Sequence, residues 1–426
     1  MSLVRNTSIT VTGRFATAGA AALAAVVVGR ALGAEGMGTL TKVGALPRLI
    51  AALLGAGITI ANAYMIGGRK HSTQRITETT TFIGLVLSLV GLGAWFLAGS
   101  LLHANVYSQL TPTVALIVGL AIPLNILRDF LNSVQQGMQN FVEANVVMAL
   151  DDVVSLLVVL PLLAGVGGTN LVVASVLIGP ALALLLAVAL LVRRGIRPIP
   201  RLHGEIAREA IIFGFKGHPG RIANLLSWRL DVAVLSFLAS NQIVGYYGVA
   251  SKVAEAFRPL SQSLTFVLRP LIASLPAREA HARGVHLYRR VFAINLGLAV
   301  VMAIVGGPLI VYCFGSEFSA AVPAFQILLI GLTAHGADGV VNGFNIGIGR
   351  PEFNTYAAFV GMAVTIVLDI ALIPSYSLIG AAIASSVAYT AKAVAMTVLF
   401  LSSTGTTFPQ LIGLKEYSPD VVQPTA

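Results

Sequence analysis

From residue 141 to residue 192 the chain runs through apolar side chains with few interruptions, the main one a glycine-rich stretch, GVGGT, at 165–169. Apolar runs of about 20 residues cross the ~30 Å hydrocarbon core of a bilayer as helices, because the backbone must satisfy its own hydrogen bonds there. Such runs lie near 8–28, 39–66, 80–101, 112–136, 141–164 and 170–192, and again near 209–238, 243–274, 288–313, 321–348, 353–373 and 378–402. Twelve transmembrane helices are expected. Hydrophobic residues make up 56% of the 426 and charged residues 10%, against about 25% charged in a soluble domain. That leaves too little polar surface for a water-soluble fold. The runs lack the period-two alternation of a membrane barrel, and 43 glycines suit helices packed closely in lipid. The class expected is an all-α, polytopic membrane protein.

The short loops then orient the chain. With a cytoplasmic N-terminus, the cytoplasmic loops include 67–79 (Arg69, Lys70, Arg75), 193–208 (Arg193, Arg194, Arg197, Arg201, Arg208) and 275–290 (Arg278, Arg283, Arg289, Arg290). The opposite loops at 102–111, 165–169, 239–242 and 374–377 contain no Lys or Arg, and 29–38 adds only Arg30 beside Glu35. This asymmetry sets topology and places both termini in the cytoplasm. It also accounts for the net charge of +10 without nucleic acid. A cleaved signal peptide at FATAGAAALAAVVVG is the competing reading of the first run; it would leave eleven helices and unpair the halves. The single cysteine, Cys313, and seven histidines show no ligand spacing, so neither metal nor cofactor is expected.

The halves repeat. At an offset of 210 positions Gly38, Lys42, Val43 and Arg48 fall on Gly248, Lys252, Val253 and Arg258, and Asn132 and Gly137 fall on Asn342 and Gly347. An even number of helices in each half makes the repeats parallel, an arrangement that puts a transporter's substrate between its halves. The domains read are an N-terminal six-helix lobe at 1–192, a basic cytoplasmic linker at 193–208, a C-terminal six-helix lobe at 209–402 and a polar, disordered tail at 403–426.

Several charges sit inside these runs, where each costs about 2.5–3.5 kcal/mol at the bilayer centre. At about 100° per residue, Lys252, Glu255 and Arg258 share one arc of the eighth segment, and Lys42 and Arg48 share the same arc of the second. Two such faces can bind a diphosphate, Arg through a planar fork and Lys as a point charge. The alternative is that Glu255 neutralises its neighbours while the outer cations reach the interface. Arg128 and Asp129 are adjacent and do not face each other, so each is expected to pair elsewhere. Arg221 and Trp228 share a face on which the indole could stack against a sugar. Asp231 is read as a partner of Arg229 or of a neighbouring helix. Asp151, Asp152, Asp338 and Asp369 are further buried acids, any of which could titrate, and Lys392 is one more cavity candidate. Gly29/Gly33 and Gly343/Gly347 have the spacing of close helix packing.

VVVGRALGAEGMGTL, RLDVAVLSFLASNQIVGYYGVASKV and IGRPEFNTYAAFVGMAVTIVLDIALIPSYSLIGAAIASSVAY together resemble, in order and spacing, the polysaccharide flippases of the multidrug/oligosaccharidyl-lipid/polysaccharide exporter superfamily. The resemblance implies two six-helix lobes around a central cavity, and transfer of undecaprenyl-diphosphate-linked oligosaccharide from the cytoplasmic to the periplasmic leaflet of the inner membrane. It also implies work in O-antigen, capsule or exopolysaccharide assembly, alongside a polysaccharide polymerase and chain-length machinery. The paired halves suggest alternating access, and, with no nucleotide-binding motif in the sequence, proton or sodium movement or the membrane potential is expected to drive net transport. Related lipid II flippases carry basic cavity residues on helices one, two and eight; the matching positions are Arg14, Arg48, and Lys252 with Arg258. A cation-coupled multidrug exporter of the same superfamily is the alternative, against which the basic faces count. A membrane polymerase or ligase would need a larger external loop, and no nucleophile–base constellation is visible.

Overall fold

A computed structural model of the chain describes residues 3–68, 70–102, 111–255, 272, 275–348, 350 and 352–412. Among them there is no strand. The helices are α1 (Leu3–Gly67), α2 (Thr73–Leu102), α3 (Pro112–Gly119), α4 (Ala121–Gly137), α5 (Phe141–Val159), α6 (Gly168–Arg193), α7 (Gly204–Leu238), α8 (Asn241–Ala254), α9 (Ala277–Phe314), α10 (Val322–His335), α11 (Asp338–Gly347), α12 (Glu352–Thr404) and α13 (Phe408–Ile412). Eight stretches among the described residues are long and apolar enough to cross a membrane. Large apolar side chains stand exposed along them, Leu89 by 70% and Ile304 by 71%, an outer surface suited to lipid rather than water.

Two of the eight stretches are pairs of helices joined through one residue. Gly33 breaks α1 at φ 63°, in the left-handed region that glycine enters without a side-chain clash. Ser377 breaks α12 at φ 47°, just after Pro374, which cannot donate to the helical ladder. The expected loops at 29–38 and 374–377 therefore shrink to single-residue breaks. The 35-residue α7 adds a further helix of spanning length, and the segment expected at 243–274 lies mostly outside the described residues beyond Ala254. The basic loops also shorten: α2 starts at Thr73, and α9 already contains Arg283, Arg289 and Arg290. No proline interrupts 277–290, so the polar stretch continues the helix instead of ending it.

Gly33 does not pack a neighbouring helix as the Gly29/Gly33 spacing suggests. A Cβ there would lie 2.6 Å from the Glu317 carboxylate. The Ala34 N–H donates to both Glu317 oxygens at 3.3 Å, so this distant acid caps the helix that restarts at Ala34. Beside it, Arg30 Nε donates to the Cys313 carbonyl at 2.8 Å.

Two compact units divide the chain, one of Met1–Leu225, Val232–Gly248 and Cys313–Glu317, the other of Leu226–Asp231, Val249–Tyr312 and Phe318–Ala426. In the first, α1 packs against α2, α4, α5 and α6, and a buried chain joins Thr80 to Asn62 (2.8 Å) and Asn62 to Ser133 (2.9 Å). In the same unit α1 meets α8 backbone to backbone. A methyl at Gly38 would overlap the Asn241 carbonyl, and one at Gly245 the Ala34 carbonyl. Gly38→Ala is therefore expected to lose about 1–3 kcal/mol, read as a lower melting temperature in detergent; an unchanged melting temperature would show that the contact relaxes freely.

In the second unit α10 and α11 pack against α12. Its core includes Val285, Phe344, Met396, Phe400 and Leu411, with Phe344 and Phe400 edge to face at 4.9 Å. The tail is not disordered from 403. α12 runs to Thr404, Leu411 is fully buried, and Arg289 donates to the Leu411 carbonyl (3.0 Å) and to that of Gln410. Order persists because an apolar side chain and a guanidinium fasten α13.

Candidate functional site

The cationic face of α1 separates into two different environments. Lys42 is buried, 6% exposed, and its ammonium donates to the Ala239 carbonyl at 3.3 Å. Ala239 closes the C-terminus of α7, so Lys42 meets the negative end of a helix dipole. Its repeat partner Lys252 is exposed. The two lysines match in sequence and differ in surroundings.

Arg48, one and a half turns beyond Lys42, has 47% of its side chain exposed, and its guanidinium lies 3.6 Å from Asp151 on α5. Asp151 is buried and is held more closely by Arg128 of α4. Arg128 also donates to Asp129 through Nε (3.0 Å) and a terminal nitrogen (2.8 Å). The expectation that Arg128 and Asp129 pair only elsewhere is therefore corrected. Neighbouring Cβ atoms diverge on a helix, but the long Arg side chain folds back to its neighbour while reaching Asp151. Arg128, with only 12% of its side chain exposed, lies between two carboxylates, which leaves Arg48 the more accessible cation.

The second unit holds the other charges. Glu255 accepts from both terminal nitrogens of Arg229, at 3.3 and 3.4 Å, a forked pair between α7 and the end of α8. Asp231 accepts from Ser385 of α12 at 2.6 Å, a partner on a neighbouring helix. Trp228 is 7% exposed, stacked on Tyr389 at 4.3 Å and edge-on to His335 at 4.9 Å. The ring expected to meet a sugar is thus enclosed by its own aromatic neighbours. Lys392 is buried on α12, with its stem against Gly361. Asp338 opens α11, 2.6 Å from His335 Nδ1. Arg258 lies outside the described residues, as does the side chain of Arg14.

One acid stands apart from the others. Asp369, on the first half of α12, is fully buried, and among the described residues neither carboxylate oxygen has a hydrogen-bond donor. A bare carboxylate in such a place costs several kcal/mol. Sequence reasoning placed Asp369 among several buried acids and had no signal to choose it. Asp151 as the shared partner of two arginines, and Glu317 as a helix cap, were also missed, since each acts across a long sequence separation. The repeat has one echo in the side chains: Asn132 and Asn342 each bury an Oδ1 with no donor among the described residues.

These helices, their breaks and their buried charges define a polytopic, all-helical membrane protein. An inward-facing multidrug resistance transporter of the MATE family matches at TM-score 0.73 and 15% identity, over 94% of this chain and 96% of that one. The lipid II flippase MurJ in an inward closed conformation matches at TM-score 0.75 and 15% identity, over 95% and 88%. The chain belongs to the polysaccharide biosynthesis protein family, whose model matches residues 3–275. An uncharacterised membrane protein of Methanocaldococcus jannaschii is 28% identical over 229 residues, covering 48% of this chain and 44% of that protein. A probable flippase, AglR, of Haloferax volcanii is 27% identical over 175 residues, covering 38% and 36%. The chain thus spans less than half the length of these curated relatives.

Proposed function

We propose that the protein is a flippase that moves undecaprenyl-diphosphate-linked oligosaccharide from the cytoplasmic to the periplasmic leaflet of the inner membrane, with both termini cytoplasmic. Membership of the polysaccharide biosynthesis family carries this reading, and the half-exposed guanidinium of Arg48 supplies chemistry that suits a diphosphate. The two lobes, 1–192 and 209–402, move about the linker at 193–208 to expose the headgroup alternately, while the prenyl chain stays in lipid. Arg48, Arg258 and Lys252 grip the diphosphate, with Arg14 and Lys392 contributing to the same field. Lys42 acts as an anchor between α1 and the end of α7.

Asp151 makes the Arg48 grip reversible. When a diphosphate draws Arg48 away, Arg128 still pairs the carboxylate, so no buried charge is stranded. Asp369, with Asp231 beside Ser385, is the proposed coupling centre, taking a proton or sodium ion in one conformation and releasing it in the other. The product would feed a polymerase and its chain-length machinery in O-antigen, capsule or exopolysaccharide assembly.

Proteoliposomes holding a fluorescent prenyl-diphosphate oligosaccharide test this reading. Protein-dependent transfer between leaflets, absent for the prenyl monophosphate lacking sugar, is the expected result. Transport of organic cations with no transfer of the lipid-linked sugar would establish the multidrug exporter instead.

A further inference from the structure

The stretch RRGIRPIPRLH, 193–203, joins the two halves of the chain, and its course is set by hydrogen bonds rather than by helix formation. Gln74 of α2 donates to the Arg197 carbonyl at 2.8 Å and accepts from the Arg197 N–H at 2.9 Å. The Arg201 N–H donates to the Glu78 carbonyl at 3.3 Å, and the His203 ring lies 2.7 Å from the Glu78 carboxylate. Pro198 and Pro200 restrict the backbone between these points. The linker is therefore strapped along the opening turns of α2.

This position fixes its depth. α6 leaves its apolar span at Arg193, and α2 enters its own at Thr73. A strap at Gln74 and Glu78 holds 197–203 at the level where both spans meet the membrane surface. There it presents exposed Arg197 and Arg201, alternating with Ile199 and Leu202, which are 55% and 53% exposed. Among the described residues neither guanidinium forms an ion pair, whereas Arg194 is engaged by Glu143 at 2.6 and 3.1 Å. Those two bonds also raise the pKa of Arg194. Glu78 is directed to His203 and Gln74, with the Arg201 charge acting on it from longer range, and Glu205 is exposed.

We propose that this strap is a docking surface for anionic phospholipid headgroups of the leaflet at which α6 ends. Arg197 and Arg201 take the phosphates, and Ile199 and Leu202 enter the headgroup–acyl boundary. Cations beside apolar side chains at a span terminus are the chemistry of membrane-surface attachment. The consequence is that the joint between the halves is tethered to the membrane and responds to lipid charge.

The test uses the full chain with Cys313→Ser and Ile199→Cys, spin-labelled at 199, in nanodiscs of phosphatidylcholine with or without phosphatidylglycerol. Anionic lipid should move the label from a water-accessible to an oxygen-accessible environment, and high salt should reverse the shift. Arg197→Gln with Arg201→Gln should weaken the preference for phosphatidylglycerol about fivefold per arginine, since each cation near an anionic surface contributes about 1 kcal/mol. Arg194→Gln should leave it unchanged. The same label accessibility in both lipids would overturn the proposal, as would equal loss from Arg194→Gln and the double variant. A response to soluble pyrophosphate in neutral lipid, with none to phosphatidylglycerol, would assign the arginines to the substrate path and equally overturn it.

Discussion

Arg48→Ala should cut lipid-linked oligosaccharide transport by about 30- to 5,000-fold, the equivalent of the 2–5 kcal/mol lost when a desolvated, hydrogen-bonded charge pair loses one member. The amount of folded protein should stay close to normal. Arg48 is half exposed, and its Asp151 partner keeps Arg128. Arg48→Lys should retain part of the activity, because charge survives while the planar fork does not. If Arg48 and Arg258 share one diphosphate, the double alanine variant should be much less impaired than the product of the single effects predicts. Arg128→Ala should behave in the opposite sense. It removes the closer of the two cations at Asp151, leaving that buried acid only the half-exposed Arg48 at 3.6 Å, and should destabilise the protein by up to about 3–5 kcal/mol, with low abundance preceding any loss of transport. Transfer rates per folded protein, measured in proteoliposomes alongside size-exclusion recovery, separate these outcomes. Full transport by Arg48→Ala/Arg258→Ala at normal abundance would end the anion-site proposal.

Asp369→Asn should abolish ion-driven accumulation while leaving equilibration between leaflets intact. One charge moved through 100 mV supplies about 2.3 kcal/mol, a leaflet ratio of about fiftyfold. The variant should bring that ratio toward one under an imposed potential or ion gradient. Its melting temperature should equal or exceed that of the parent, because the amide removes a buried ionisable group with no donor among the described residues. Asp231→Asn should weaken coupling less, since Asp231 is already held by Ser385. The measurement is the steady-state distribution of substrate with and without the gradient. An Asp369→Asn protein that still accumulates substrate against its gradient would remove this acid from the coupling centre.

The contrast between Arg48 and Lys42 shows how far the sequence reaches. Both were legible as cations within an apolar run, on one face of one helix, because a bilayer makes every charge conspicuous and a helix fixes its angular spacing. The same two facts marked the apolar runs, put a loop at 29–38 where the structure has a single break at Gly33, and aligned Lys42 with Lys252 at one offset. They also made the family resemblance readable, since order and spacing along the chain are all it requires.

Pairing was decided by the tertiary structure alone. Asp151 serves Arg48 and Arg128 because α5 packs beside α1 and α4. Lys42 reaches Ala239 because glycines let α1 and α8 touch, while Lys252 is exposed. Trp228 turned from a sugar platform into part of an aromatic cluster once α12 brought Tyr389 against it. Asp369 became distinct only when its neighbours among the described residues were seen to offer no donor. A sequence specifies what each helix carries and on which face, because those properties are local. Which faces meet depends on contacts between segments far apart in the chain, so the partner of a buried charge, or the absence of one, is fixed only when the helices pack.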